Sequence, residues 1–397
     1  MGRPDPADHM KTYAGLDTVR AIASLCVLVT HVSFWAGWYQ QDLMGRMSAR
    51  LDIGVAIFFV LSGFLLGRPF LSALAAGRRS PRAGRYFWKR SLRIVPLYVA
   101  TVVIALLALE QNRGLGVVQW IRQLTLTQVY PDGLLVAGLT HMWSLCVEVA
   151  FYVALPVIAW VLVRVVCRSR WSAGRLLVAL GALSVVSWAW LIWVAPRVDG
   201  SNLWLPAYLS WFAVGLAIAV ADIEIARTQR WRWLTDLAAQ PGVCWTIALA
   251  AFAVTATPLA GPILLEQPTE SNAVIKNLMY AIAAGLVVLP SVLGPQRGTV
   301  YADVMAWRPF RHVGHISYGI FCLHLLVLHA VSDLLDIPLF SGQGWTLLGA
   351  TVLGSLVAAE VTYRLVERPA LRLKDSRIGR RRKPTPATSP SEHSTSS

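Results

Sequence analysis

Residues 52–69 read DIGVAIFFVLSGFLLGRP, and the positions from Ile53 to Gly67 carry no charged side chain. A helix needs about 20 predominantly apolar residues to cross the hydrocarbon core of a bilayer, with a range of roughly 17–25. This stretch therefore predicts a transmembrane helix, and the same test predicts further spans on both sides of it. The ten predicted spans are residues 16–38, 52–69, 94–109, 143–163, 176–195, 203–221, 243–260, 274–292, 314–332 and 345–363.

The composition of the 397-residue chain agrees with a membrane protein, since 56% of its residues are hydrophobic and only 14% are charged. Soluble domains have roughly 45–50% apolar and about 25% charged residues. We therefore expect an all-α, polytopic integral membrane domain over residues 1–375. The basic, Pro-, Ser- and Thr-rich segment 376–397 has a composition typical of a disordered tail.

The net charge of +15 indicates an anionic partner, and its distribution along the chain decides which kind. Of the 36 Lys and Arg residues, 29 lie in the two termini and in or beside the connections after even-numbered spans, counting Arg68 at the end of the second span. Six lie in or beside the other connections, counting Lys276 near the start of the eighth span, and Arg20 lies inside the first span. By the positive-inside rule, this bias predicts that both termini are cytoplasmic. Because the basic residues flank membrane spans, we expect a lipid bilayer and no nucleic acid as partner. The five cysteines form no CxxC pair, so they predict neither a zinc site nor a disulfide framework.

The first predicted span contains the run RAIASLCVLVTH, residues 20–31, which begins with Arg20 and ends with His31. Eleven positions make about three helical turns, which puts both side chains on one face about 16 Å apart. An ionisable residue inside a membrane span is a functional candidate by default. The structural alternative is an Arg20 that reaches the lipid headgroups and a His31 that satisfies a buried hydrogen bond.

The fourth predicted span opens with HMWSLCVEVAFY, residues 141–152. His141, Ser144 and Glu148 stand at i, i+3 and i+7 and share one helix face. From its distance to the predicted outer surface, Glu148 lies at a depth similar to that of His31. The two residues are therefore predicted to form an acid/base pair, with a purely structural pair as the alternative.

A basic stripe follows the second span, in residues 77–98, GRRSPRAGRYFWKRSLRIVPLY. Arg82, Arg85, Lys89 and Arg93 are spaced by three, four and four positions, and Arg90 flanks them. On a helix, this spacing forms one basic face at the predicted cytoplasmic surface. Such a face is suited to anionic lipid and equally to a phosphate-bearing cofactor.

The ninth span holds HISYGIFCLHLLVLH, residues 315–329, in which Ser317 and His324 share a face. His324 lies near mid-membrane, where a packing hydrogen bond and a catalytic role are both open. The chain has no GxGxxG, P-loop, GxSxG or HExxH motif in a suitable context, which leaves nucleotide hydrolysis, hydride transfer and zinc hydrolysis without support.

Taken in order, these motifs resemble acyltransferase family 3, the integral-membrane O-acyltransferases of bacterial surface polysaccharides, glycolipids and macrolides. The chain departs from the family at Ala56, where an acidic or polar residue is common, and at Val149 and Ala150, where Glu and Gln often follow the Glu motif. The motifs that carry the resemblance are Arg20 and His31 at the R-x10-H spacing, FFVLSGFL (58–65), KRSLRIVPLY (89–98), WSLCVE (143–148), SYGIFCLH (317–324) and VERP (366–369).

The resemblance implies a multi-pass enzyme of the bacterial plasma membrane that transfers an acyl group to a hydroxyl of a sugar, glycolipid or similar polyol. Acyl-CoA, expected to be acetyl-CoA, would enter from the cytoplasm and be bound by Arg20, Arg90 and Arg93. His31 would act as general base with Glu148, and no metal is implied. Ser144, His141 and His324 are accessory candidates.

A transporter or flippase is the alternative to the enzyme. In that alternative, His31, Glu148 and His324 would form a proton relay.

Overall fold

The computed structural model describes residues 13–373 except 131–135, 264–265 and 267, and this part of the chain is all-helical. The predicted tail at 376–397 lies outside the described residues. We number the ten longest helices in chain order; they are α1 (Gly15–Trp35), α2 (Ile53–Ala75), α3 (Ala83–Ala108), α4 (Trp143–Trp160), α5 (Ala173–Trp193), α6 (Leu209–Thr228), α7 (Pro241–Thr255), α8 (Glu270–Leu293), α9 (Arg308–Leu334) and α10 (Gly344–Thr362).

Nine segments of the described chain are long and apolar enough to cross a membrane, and they contain every numbered helix except α7. The predicted span 243–260 corresponds to α7, which has 15 residues and follows the short helix Arg232–Ala238 at an 82° bend. Near the start of α8, Asn272 donates a hydrogen bond of 2.8 Å to the Leu259 carbonyl beyond the end of α7. At the other end of α8, the backbone at Gly294 packs on Ala238, just before α7. Because α7 and its flanking turns cover the length of α8, the fold is consistent with ten crossings.

Glycines allow α2 and α6 to pack backbone against backbone. Gly63 and Gly67 form a GxxxG pair on α2, and Gly215 faces them from α6. A Cβ atom on Gly63 would lie 2.3 Å from the Phe212 carbonyl oxygen, and one on Gly215 would lie 2.0 Å from that of Val60. Small residues permit this close approach between membrane helices, where there is no hydrophobic force to drive association.

A second close contact joins α1 and α9 at the end where both helices begin. A Cβ atom on Gly314 would lie 1.9 Å from the Asp17 carbonyl oxygen. The Asp17 carboxylate lies 3.3 Å from His315 Nε2 and 3.5 Å from Arg311 Nε. Since the two helices also meet further along, the pair runs parallel, and their functional candidates face each other.

Candidate active site

His31 and His324 are in direct contact across the α1–α9 interface. His31 Nδ1 lies 2.7 Å from the Val27 carbonyl oxygen of its own helix and 3.2 Å from His324 Nε2. His324 Nδ1 lies 2.7 Å from the Phe321 carbonyl oxygen. His31 lines a cavity, whereas His324 is buried. The contact therefore links a histidine that faces a cavity to a histidine in the protein interior.

His141 is the third histidine of the cluster. It lies just before α4, its ring centre is 4.5 Å from that of His324 and 6.1 Å from that of His31, and its side chain is buried. Neither ring nitrogen of His141 has a hydrogen-bond partner within the described chain. His324 Nε2 faces His31 Nδ1. Among the described residues, no group of His, Cys, Asp or Glu side chains is arranged to bind a metal ion.

Glu148 has different neighbours from those expected. Its carboxylate accepts hydrogen bonds from Ser62 on α2 and, at 2.6 Å, from Tyr152 one turn further along α4. In the described part of the structure, His31 is not among the hydrogen-bond partners of Glu148. The predicted pair thus lies in two adjoining cavities, with Ser144 lining both.

The cavity around Glu148, which we call the inner cavity, has a volume of about 80 Å³. Arg20 enters it from α1, and Arg90 and Arg93 enter it from the predicted basic stripe on α3. Arg20 also contacts Asp17 at 3.3 Å, and Arg90 lies over the Tyr152 ring at 5.9 Å. Three guanidinium groups and one carboxylate therefore converge in a small chamber, which is an arrangement suited to an anionic ligand.

The inner cavity continues into a vestibule of about 1050 Å³ between the end of α2 and the start of α3. Arg90 and Arg93 line both spaces, and the vestibule adds three further cations of the stripe, Arg82, Arg85 and Lys89. The helical stripe is confirmed, since Arg82 precedes the first residue of α3 and the others occupy its first turns.

The cavity around His31, which we call the outer cavity, has a volume of about 490 Å³ and lies at the opposite end of α2 from the vestibule. Its polar lining includes Asp52, which forms an ion pair of 2.7 Å with Lys276. Tyr39 donates a hydrogen bond of 2.9 Å to the Thr30 carbonyl. Burial raises the pKa of the Tyr39 phenol above its usual value, so this group stays protonated at neutral pH.

Several residues of these cavities were not singled out from the sequence. Ser62 lies inside the FFVLSGFL motif, and Tyr152 stands four residues after Glu148, which is the spacing of helix neighbours. Asp52 and Lys276 give a weaker signal, because each lies at the end of an apolar run where charges are common. Ser144, which was predicted as an accessory residue together with His141 and His324, donates a hydrogen bond of 3.0 Å to the His141 carbonyl.

Comparison with known proteins assigns the chain to a family. The family described as "Acyltransferase domain" matches residues 13–364, nearly the whole chain. The chain belongs to the acyltransferase 3 family. It is therefore a multi-pass membrane acyltransferase, in agreement with its apolar helices. No solved structure matches the chain.

Curated relatives of this acyltransferase 3 protein match over most of its length. Nodulation protein 10 of Rhizobium leguminosarum bv. viciae is 24% identical, over 92% of this chain and 95% of its own. Acyltransferase MdmB of Streptomyces mycarofaciens is 27% identical, over 94% and 95%. Peptidoglycan O-acetyltransferase OatA of Listeria monocytogenes is 22% identical over 90% of this chain but only 56% of its own.

Proposed function

We propose that this membrane acyltransferase moves an acyl group, expected to be acetyl, from acyl-CoA to a hydroxyl group of a sugar, glycolipid or similar polyol. One observation carries the proposal: the three cavities adjoin one another through the bundle. The vestibule and the inner cavity share Arg90 and Arg93, and the inner and outer cavities share Val55, Ser144 and Phe321. Two substrates that enter from opposite ends would meet at these last three residues.

The donor side of the proposal rests on the convergent arginines. Arginine binds phosphate oxygens in a bidentate manner, and CoA carries several phosphate groups. Arg90 and Arg93, with Arg82 and Arg85, would bind the phosphates in the vestibule. The thioester arm would extend past Arg90 and Arg93 into the inner cavity, which Arg20 also lines. The excess of Lys and Arg in the connection that forms the vestibule supports a cytoplasmic location for this entrance.

The acceptor side rests on the lining of the outer cavity. Ligand pockets have volumes of about 300–1,000 Å³ and combine apolar or aromatic walls with a few polar groups. The outer cavity falls in this range at about 490 Å³, with Trp143 and Tyr208 as aromatic walls and Asp52 and Asn202 as polar groups. This combination is suited to a hydroxylated ring. One relative is a peptidoglycan O-acetyltransferase, which supports the same class of acceptor.

In the proposed reaction, the oxygen of the acceptor hydroxyl attacks the thioester carbonyl carbon while His31 Nε2 takes the hydroxyl proton. The carbon–sulfur bond then breaks, the CoA thiolate leaves, and the proton on His31 returns to the sulfur. Glu148 would act from the donor side, where it holds Ser62 and Tyr152 beside the arginines. General-base catalysis contributes about 10²–10⁴-fold to a rate.

The test is acyl transfer by the purified protein supplied with radiolabelled acetyl-CoA, with slow hydrolysis of acetyl-CoA as a second readout. We expect His31→Gln to lower turnover by at least about 10²-fold. His329→Gln is the matched control, because His329 is a buried histidine on α9 that packs on Trp35 away from the reacting groups. Equal turnover by the wild type and His31→Gln would contradict the mechanism. Mass spectrometry of envelope glycans and metabolites from a deletion strain would identify the acceptor.

A further inference from the structure

The contact between His31 and His324 has only one consistent arrangement of protons when both rings are neutral. A backbone carbonyl only accepts hydrogen bonds, so His324 Nδ1, which faces the Phe321 carbonyl at 2.7 Å, must carry its hydrogen. A neutral imidazole has a single N–H group. His324 Nε2 is therefore a lone pair, and it can accept a hydrogen bond but not donate one.

The same reasoning fixes the hydrogen on His31. Its Nδ1 faces two acceptors, the Val27 carbonyl oxygen at 2.7 Å and His324 Nε2 at 3.2 Å. His31 Nδ1 must therefore donate, in a bond shared between the two. The second ring nitrogen of His31, Nε2, therefore carries a lone pair and can act as a base. The His31 side chain lines the outer cavity.

We propose that His324 is a positioning residue of the acyl transfer, whose Nε2 holds His31 in the tautomer with a basic Nε2 and stabilises the imidazolium that forms when His31 takes the acceptor proton. The inference rests on the proposed function of His31 as the base. His324 touches neither substrate in this proposal and acts only through His31. Its role corresponds to that of the third group that orients the histidine in a nucleophile–histidine triad. Here a buried neutral imidazole takes the place that a carboxylate commonly has.

Two amide substitutions separate the contact with His31 from the contact with the helix backbone. In His324→Asn, the amide takes the place of Nδ1, so it can still bond the Phe321 carbonyl but does not reach His31. In His324→Gln, the longer side chain brings its carbonyl oxygen to the place of Nε2, where it can accept from His31 Nδ1. For histidines that bind a metal, loss of the residue that orients the ring typically costs about 10–100-fold, and we expect a loss of the same order for the partner of His31.

We expect His324→Asn to lower kcat for acetyl transfer by about that factor of 10–100 and His324→Gln to restore most of the wild-type kcat. The KM for acetyl-CoA should stay at the wild-type value in both variants, because the donor cavities lie on the other side of Ser144. His329→Asn, on the same helix, should behave as the wild type. Retained acetyl-CoA binding in each purified variant would show that it is folded.

Two results would overturn the inference: equal kcat in the Asn and Gln variants, or a change confined to KM. Either result, with His31→Gln inactive, would leave the proposed function intact. A fully active His31→Gln variant would instead refute the proposed function itself, and the two failures are therefore distinguishable.

Discussion

Replacing Arg93 by glutamine should weaken acyl-CoA binding by about 10- to 150-fold. Arg93 is half-buried on α3 and lines both the vestibule and the inner cavity, so a donor that passes from one to the other must pass its guanidinium group. A hydrogen bond to a charged group contributes about 1.5–3 kcal/mol. Since about 1.4 kcal/mol corresponds to a tenfold change in Kd, loss of one such contact gives the stated range.

The assay is calorimetric titration of CoA into the purified protein in detergent, for the wild type and two variants. Arg79→Gln is the matched control, because Arg79 is exposed in the connection between α2 and α3 and is outside the lining of both cavities. Arg79→Gln removes the same charge as Arg93→Gln but no contact in either cavity. It should therefore change the Kd for CoA only slightly, and added salt should screen that small effect. If Arg93→Gln and Arg79→Gln shift Kd equally, the basic stripe acts only through its net charge, and the reasoning about the cavities is wrong.

Three further predictions concern the fold and its orientation. Gly215→Leu should prevent α6 from packing on α2 and abolish the folded peak in size-exclusion chromatography, whereas Gly349→Leu, where a Cβ meets open space, should not. Arg50→Met should lower the melting temperature in detergent, because the buried guanidinium donates to carbonyls at the end of α7 and in the turn after it, and each bond to a charged group contributes about 1.5–3 kcal/mol. In a cysteine-free background, Arg79→Cys should react with an impermeant thiol reagent only in inside-out vesicles, and Asn202→Cys only in right-side-out ones; the reverse pattern would contradict the cytoplasmic vestibule.

The sequence was sufficient to predict the membrane helices, because the thickness of the hydrocarbon core imposes a length and an apolar composition that few other structures share. The exception is informative. The span predicted at 243–260 is the shorter helix α7, which begins beyond an 82° bend after Ala238. The bend falls at Gln240, the residue before Pro241, and the proline ring disfavours helical geometry at the residue that precedes it.

The partners of the site residues were harder to predict for a related reason. Spacing along a helix indicates which residues share a face, and His141, Ser144 and Glu148, which were predicted to share one, line the inner and outer cavities. It does not fix which helices are adjacent. The α1–α9 interface, closed by the approach of Gly314 to Asp17, gives His31 a partner on α9, whereas Glu148 on α4 faces α2.

The separation of His31 from Glu148 bears directly on where the acyl group would change hands. A general base must lie within hydrogen-bond reach of the proton that it takes. His31 lines the outer cavity, whereas Arg20, Arg90 and Arg93 line the inner cavity or the vestibule and not the outer cavity. The thioester carbonyl therefore has to reach the boundary formed by Val55, Ser144 and Phe321, because no other residue of the described chain lines both cavities. The acceptor then never needs to enter the basic vestibule, and the CoA moiety never needs to leave it. In this proposal only the acyl group crosses the boundary between the cavities. His31 then acts on the acceptor in the outer cavity, and Glu148 lies beside the donor in the inner cavity.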